Sequence, residues 1–317
     1  MTKAIGGYYE LELQRGEHYH NALRLNTARN CLEYILRARD YKSVWIPYYT
    51  CSVIYEPLDK CGITYKQYHI NEYLEPTELP ELQDNEAFLY TNYFGLKQAY
   101  IKRISSVYGE RLIIDNAQAF FATPIEGIDT FYSARKFLGV PDGAYLYTTA
   151  HADIEIETNI SWQRMQHLLL RADRSAEEGY RYFQQAEEML SHQPIRKMSN
   201  LTDKLLRSIN YEDIIAKRRT NYAILHSSLK GSNKLLTELN DIDVPMAYPL
   251  LTNNGNIRQK LADEHVYIPI YWPDMRGEGE MNDIEKLLQQ HLCALPISQH
   301  YGHEDMQRII EIIEQYD

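Results

Sequence analysis

A chain of 317 residues has room for a sizeable core and more than one domain, and its 44% apolar residues include no unbroken run of the roughly 18 or more that would span a bilayer. Lys and Arg number 33 against 44 Asp and Glu, and the formal charge of −11 opposes a phosphate backbone, which excludes nucleic acid as an expected partner. The four cysteines (Cys31, Cys51, Cys61, Cys293) form no CxxC pair, so no metal site and no disulfide framework is expected; Met1 to Gly7 lack a secretory pattern, so a cytoplasmic location is.

In chain order, Cys31, Leu32, Ile35 and Leu36 recur at helical spacing and predict a helix over Thr27 to Arg39, capped near Asn26 or Thr27. Short β-prone runs follow at Ser43 to Pro47, Ile63 to Tyr65, Ala87 to Thr91 and Arg111 to Asp115, with a polar helical stretch from Ala99 to Tyr108. Strands alternating with helices predict a mainly parallel sheet covered on both faces. After a strand at Ala144 to Tyr147 come two long charged helical segments, Ile160 to Leu190 and Leu201 to Leu229, read as bundling or dimer helices. Strand-like pieces at Ile242 to Val244, Ala247 to Leu251 and His265 to Ile268, with helices at Ile257 to Glu264 and Asp305 to Tyr316, predict a smaller α+β unit. Arg276 to Glu280 reads as a loop. The fold class expected is α/β, a seven-stranded, mainly parallel large domain (1–205) with a C-terminal α+β domain (206–317). Twenty-seven tyrosines against seven phenylalanines predict many half-buried rings whose hydroxyls sit in polar company.

The chemistry concentrates in two stretches. The strand Arg111 to Asp115 runs into Asn116-Ala117-Gln118, which puts a carboxylate at a strand's carboxyl end, where open α/β sheets gather ligands. Twenty-one residues after Asp115 comes Lys136, in Ser133-Ala134-Arg135-Lys136. A lysine, a strand-end carboxylate and a short hydroxyl match what pyridoxal 5'-phosphate requires. In such a site the Lys136 amine would hold the aldehyde and serve as general base, and Asp115 is the candidate to keep the pyridine nitrogen protonated. Gln118 is placed to donate to the ring oxygen and Ser133 to bond the phosphate. Thr27, Ala28 and Arg29 offer that phosphate a helix start, with a small residue at Ala28 and a charge at Arg29.

These motifs resemble the DegT/DnrJ/StrS family of pyridoxal phosphate-dependent sugar aminotransferases, within the aspartate aminotransferase superfamily. The similarity rests on Leu25 to Leu32, Ile46 to Cys51, Asp115-Asn116-Ala117-Gln118, Lys136, Lys197 to Leu201, Arg219 to Tyr222 and Leu295 to Gln299 with Asp305-Met306. It implies a homodimer with sites at the subunit interface, glutamate as amino donor, a keto-sugar nucleotide as acceptor, and a place in amino-sugar or polysaccharide biosynthesis. It also implies that partner-chain residues near Arg196 approach the phosphate. Two positions depart from the family's pattern. Gly139-Val140-Pro141-Asp142-Gly143 stands where members carry a Thr-Thr-Gly-Glu-Gly-Gly-like loop, and Cys51 stands where a ring-stacking aromatic is usual, so that stacking either comes from Tyr49, Tyr93 or another neighbour or is absent. Relatives that dehydrate sugars carry histidine in place of the lysine. A non-catalytic homologue that binds a nucleotide sugar or a partner protein, or a lyase on the same scaffold, are the alternative readings.

Overall fold

The computed structural model describes residues 11, 13 and 16–315, so Met1 to Gly7 and the end of the last predicted helix, Tyr316, lie outside the described residues. The strands are β1 (Leu23–Leu25), β2 (Ser43–Pro47), β3 (Thr64–Tyr68), β4 (Glu86–Thr91), β5 (Leu112–Asn116), β6 (Asp129–Ser133), β7 (Ala144–Tyr147), β8 (Ala247–Leu251) and β9 (Leu292–Pro296). The helices are α1 (Ala28–Ala38), α2 (Tyr55–Cys61), α3 (Gln98–Tyr108), α4 (Gln166–Asp173), α5 (Ala176–Glu188), α6 (Asn200–Arg207), α7 (Tyr211–Leu229), α8 (Ile257–Asp263), α9 (Asp283–His291) and α10 (His303–Glu314).

Seven strands form one sheet in the order β1-β7-β6-β5-β4-β2-β3. Strands β3, β2, β4, β5 and β6 run parallel, while β7 and β1 are antiparallel additions at one edge. Burial follows from position in the sheet: all six residues of central β4 are buried, whereas edge strand β3 alternates. On one face α1 and α2 pack Cys31, Leu32, Ile35 and Leu58 against Val44, Leu89 and Ile113. On the other, Ile101 and Ile104 of α3 share a continuous core with Tyr222 of α7, the antiparallel pair β8-β9 and Ile309 and Ile313 of α10. The α/β class, with its mainly parallel seven-stranded sheet and smaller α+β part, is thus as the sequence predicts. The tyrosine hydroxyls find polar company as predicted, but these rings lie deeper than half-buried: Tyr68, Tyr90 and Tyr93 are buried, and their hydroxyls donate to the carbonyls of Leu89, Leu74 and Tyr49 at 2.9, 2.8 and 2.7 Å.

Several expected elements differ. The segment Ile160 to Leu190 is not one helix: it breaks at Arg174, whose backbone leaves the helical region, and Ser175 starts α5 by accepting the Glu178 N–H at 3.2 Å. Leu201 to Leu229 likewise divides into α6 and α7, because Asn210 caps α7 through the Asp213 N–H at 3.3 Å. Ile242 to Val244 is a turn, closed where Asp243 Oδ2 accepts from Asn240 N and Nδ2 at 3.1 and 2.9 Å. His265 to Ile268 follows the end of α8 as a turn and an irregular segment rather than a strand: His265 takes φ of 58°, and the Val266 N–H returns to the Leu261 carbonyl at 2.7 Å. Helices α2 and α9 and strands β1, β6 and β9 were not foreseen. Among the described residues no helix is long and apolar enough to cross a membrane, and no group of three or more His, Cys, Asp or Glu could hold a metal ion.

Candidate active site

The carboxyl ends of β5 and β6, the segment after β2 and the amino end of α1 converge on a cavity of about 180 Å³. Thr27, Ala28, Arg29, Asp115, Ser133 and Lys136 all line it, residues that the sequence separates by more than 100 positions. Gln118, by contrast, is outside the wall. Its Oε1 accepts the Phe94 N–H at 2.8 Å, which braces the turn Tyr93–Gly95; its Nε2 is a buried donor without a partner. Gly95 is required in that turn, since φ is +73° and a Cβ would come 2.8 Å from the Val244 carbonyl oxygen.

At the amino end of α1, Thr27 is the cap. Its Oγ1 accepts the Asn30 N–H at 3.2 Å and donates to Asn30 Oδ1 at 2.6 Å. The Ala28 and Arg29 amides have no intrahelical acceptor and carry the positive end of the helix dipole, which suits an anion. Arg29 reinforces this end less than its charge suggests, because its Nη1 donates to Glu56 Oε2 at 2.6 Å. Burial would raise the Glu56 pKa, but Lys60 and Arg29 outweigh it and hold Glu56 below the usual carboxylate range. Asn26 fastens the entry to the helix: its N–H donates to the Arg196 carbonyl at 2.9 Å, and its Oδ1 accepts the Arg196 N–H at 3.2 Å. Arg196 therefore reaches the phosphate-type helix start through its own chain's backbone.

Asp115 is the penultimate residue of β5, largely enclosed and lining the cavity. Desolvation pushes its carboxyl pKa up, countered in part by the Lys136 charge and by the Ala117 N–H, which donates to Oδ1 at 2.8 Å. Lys136 lies on the tight turn Ala134–Lys136 directly after β6. That turn is held from several sides: Ala134 N–H bonds the Gly143 carbonyl at 3.1 Å, and the Phe137 carbonyl accepts from Gln299 Nε2 at 3.0 Å and Arg218 Nη2 at 3.4 Å. The Arg218 guanidinium also stacks 4.6 Å from the Phe137 ring centroid. Two segments that carried the resemblance also meet: Asn221 Nδ2 donates to the carbonyls of Ser298 and Tyr301 at 3.2 and 3.1 Å.

The loop Gly139 to Gly143 has its own anchor. Asp142 is fully buried and accepts from Asn159 Nδ2 at 2.7 Å, Ser199 Oγ at 2.8 Å, Ser199 N–H at 3.2 Å and the Thr202 hydroxyl. Gly143 N–H then donates to the Asn26 carbonyl at 2.7 Å, so this loop ties the lysine turn to the start of α1. Tyr49 and Tyr93 are fully buried and do not line the cavity; Thr50, Cys51, Ala117, Phe131, Arg135, Glu187 and Leu190 do. Arg135 could have been noticed from its place beside Lys136. Glu187 and Leu190 carry no sequence signal, since the α4–α5 segment reaches the cavity only through tertiary packing.

No protein-family model and no curated protein matches the sequence. Solved structures match in fold. A DegT DnrJ EryC1 StrS aminotransferase from Brucella abortus is similar with a TM-score of 0.62, covering 94% of this chain and 86% of that one at 14% identity. The ntda protein of Bacillus subtilis, solved with bound cofactor PMP, gives 0.64 over 93% and 73% at 15% identity. The GDP-4-keto-6-deoxy-D-mannose-3-dehydratase of E. coli, solved with bound hydrated PLP, gives 0.61 over 92% and 87% at 12% identity. The chain therefore has the fold of this aminotransferase, the ntda protein and this dehydratase along nearly its whole length.

Proposed function

We propose that this protein is a pyridoxal 5'-phosphate enzyme that modifies a sugar nucleotide, and more narrowly an aminotransferase that carries an amino group from glutamate to a keto-sugar nucleotide in amino-sugar or polysaccharide biosynthesis. The observation that carries this reading is that Lys136 and Asp115 line one cavity with the amino end of α1. Each part of the cofactor finds its kind of partner there: an amine for the aldehyde, a carboxylate for the ring nitrogen, and free helix amides with the Ser133 hydroxyl for the phosphate. When bound, the cofactor supplies a sink for the electron pair left when a substrate carbon loses its proton. Lys136 holds the group and then moves that proton on Nζ. The Asp115 carboxylate, desolvated in its own wall, regains favourable electrostatics beside a protonated ring nitrogen and so keeps the proton there. Gln118 Nε2 remains a buried donor in the second layer.

The E. coli neighbour is a dehydratase of a GDP-linked keto sugar, which supports the acceptor class. The Lys136 amine favours transamination over dehydration, as the resemblance implies. A homodimer working in the cytoplasm belongs to the same proposal. Ile160, Trp162, Leu169 and Tyr180 are 72, 65, 60 and 58% exposed along the α4–α5 segment, an apolar set suited to a second copy. The four free cysteines suit a reducing compartment. A monomer by sedimentation at micromolar concentration would reject the dimer.

The decisive experiment adds pyridoxal phosphate to the purified protein and to Lys136→Ala, records visible absorption, reduces with borohydride and maps the labelled peptide. A visible band, with label on Lys136 and none in the variant, is expected. No band, or label on another lysine, rejects the proposal.

A further inference from the structure

Among the charged groups lining the cavity, Asp115 and Lys136 have tasks in the reading above, and Arg29 is held by Glu56, which Lys60 also meets at 2.8 Å. Arg135 and Glu187 are left. They are bonded to each other, but through a single guanidinium nitrogen, Nη2; Nε of Arg135 is buried and has no partner. Arg135 is 18% exposed and Glu187 41%, so the pair stands at the cavity rim, where solvent screening makes it weak. We propose that Arg135 is the cavity's receptor for a substrate oxyanion, and that Glu187 of α5 occupies the guanidinium until the oxyanion displaces it.

A carboxylate or phosphate presents two oxygens at the spacing of Nε and Nη2, so it satisfies both nitrogens where Glu187 satisfies one. The gain is largest at Nε, because a buried donor without an acceptor is the costly state. The surroundings favour an added anion. Arg164 Nη2 and His167 Nδ1, near the start of α4, are buried and make no hydrogen bond, Arg164 Nη2 being paired only at 4.0 Å with Asp142, and burial first and the Arg135 charge second lower the His167 pKa. The acidic Asp142, 4.0 Å from Arg164, is already saturated by hydroxyl and amide donors. Arg135 shares the fixed turn with Lys136, so an oxyanion held there lies in the same cavity as the lysine amine. The inference rests on the cavity being the reaction site, and it gives that site an acidic substrate: the carboxylate of the amino donor, or a phosphate of the sugar nucleotide.

Calorimetric titration of the cofactor-free protein with glutarate, and separately with inorganic phosphate, tests it independently of the cofactor. Glu187→Gln should tighten binding up to about fivefold, the worth of a screened pair. Arg135→Gln should weaken it about tenfold or more, and the double variant should match Arg135→Gln. A response to glutarate that changes in the variants assigns the donor carboxylate; a phosphate that binds in addition to the one held by the amino end of α1, and is lost in Arg135→Gln, assigns the sugar nucleotide. If Glu187→Gln changes neither titration, or still tightens binding without Arg135, the proposal is overturned. Circular dichroism checks each fold, with Arg135→Lys, which keeps charge but loses the two-nitrogen fork, replacing Arg135→Gln if that variant does not fold. Borohydride labelling of Lys136 in the same variants reports separately on the cofactor reading.

Discussion

Asp142→Ala removes a carboxylate that is completely buried and leaves its donors behind. Asn159 Nδ2 at 2.7 Å and the Ser199 N–H at 3.2 Å lose their acceptor outright. Ser199 Oγ keeps Ser161 Oγ at 2.6 Å and Thr202 Oγ1 at 3.1 Å, so the two hydroxyls partly satisfy each other. Two bonds to a charged acceptor at about 1.5–3 kcal/mol each give a loss of about 3–5 kcal/mol after partial relaxation. The same figure, about 3–5 kcal/mol, is typical when one partner of a buried charged cluster is removed, and Arg164 at 4.0 Å is the cation left behind. Asp142→Asn keeps one acceptor oxygen but turns an amide towards other donors, and should fall between, at about 2 kcal/mol. Urea unfolding followed by tryptophan fluorescence, without cofactor, measures both. Because the loop ties Ala134 to Asn26, labelling of Lys136 by the cofactor should also slow in each variant. A loss under about 1 kcal/mol for Asp142→Ala at unchanged m-value would refute the account of the loop as a hydrogen-bonded clamp.

Three further outcomes are expected. Asp115→Asn should lower turnover by on the order of a hundredfold or more while cofactor still binds, since a neutral amide cannot hold the ring nitrogen protonated. The cofactor-free variant should also be more stable than the parent at neutral pH: a carboxyl whose folded pKa is raised stabilises the fold while protonated and loses that contribution as pH rises through the raised value. Unchanged turnover would reject the role. Thr27→Ala removes the cap of α1, with an expected cost of about 1 kcal/mol in urea and weaker cofactor retention on dialysis; full retention would show that this helix end does not hold the phosphate. Acid titration should reveal Glu56. Its folded pKa is held down, so its contribution is complete above the unfolded value of about 4.3 and is lost as pH falls through the folded one. Glu56→Gln should flatten that part of the stability curve, and a curve identical to the parent's would contradict the Arg29–Glu56–Lys60 tie.

The large sheet was legible because its strands announce themselves locally. Val44 and Ile46 in β2 and Leu112 to Ile114 in β5 are apolar runs of strand length, and α1 carries both its stripe and its cap within twelve residues. Strand β6 was missed because Asp129 and Thr130 are buried polar positions, with Asp129 paired to Arg39 at 3.0 Å from ninety positions away. The C-terminal part misled where local polar bonds decide, as in the turn closed by Asp243, since a run such as Ile242 to Val244 looks strand-like until its neighbour's side chain is placed.

The sequence alone determined that a lysine, a strand-end carboxylate and a helix start were available in an α/β chain, because each is a property of a few neighbouring residues. Only the tertiary structure decided that six of these residues face one cavity, that Gln118 braces the turn Tyr93–Gly95 rather than lining the wall, that Asp142 clamps the loop after the lysine, and that Glu187 meets Arg135. Those facts depend on contacts between positions dozens to more than a hundred apart, which burial and sheet order impose and local pattern does not encode.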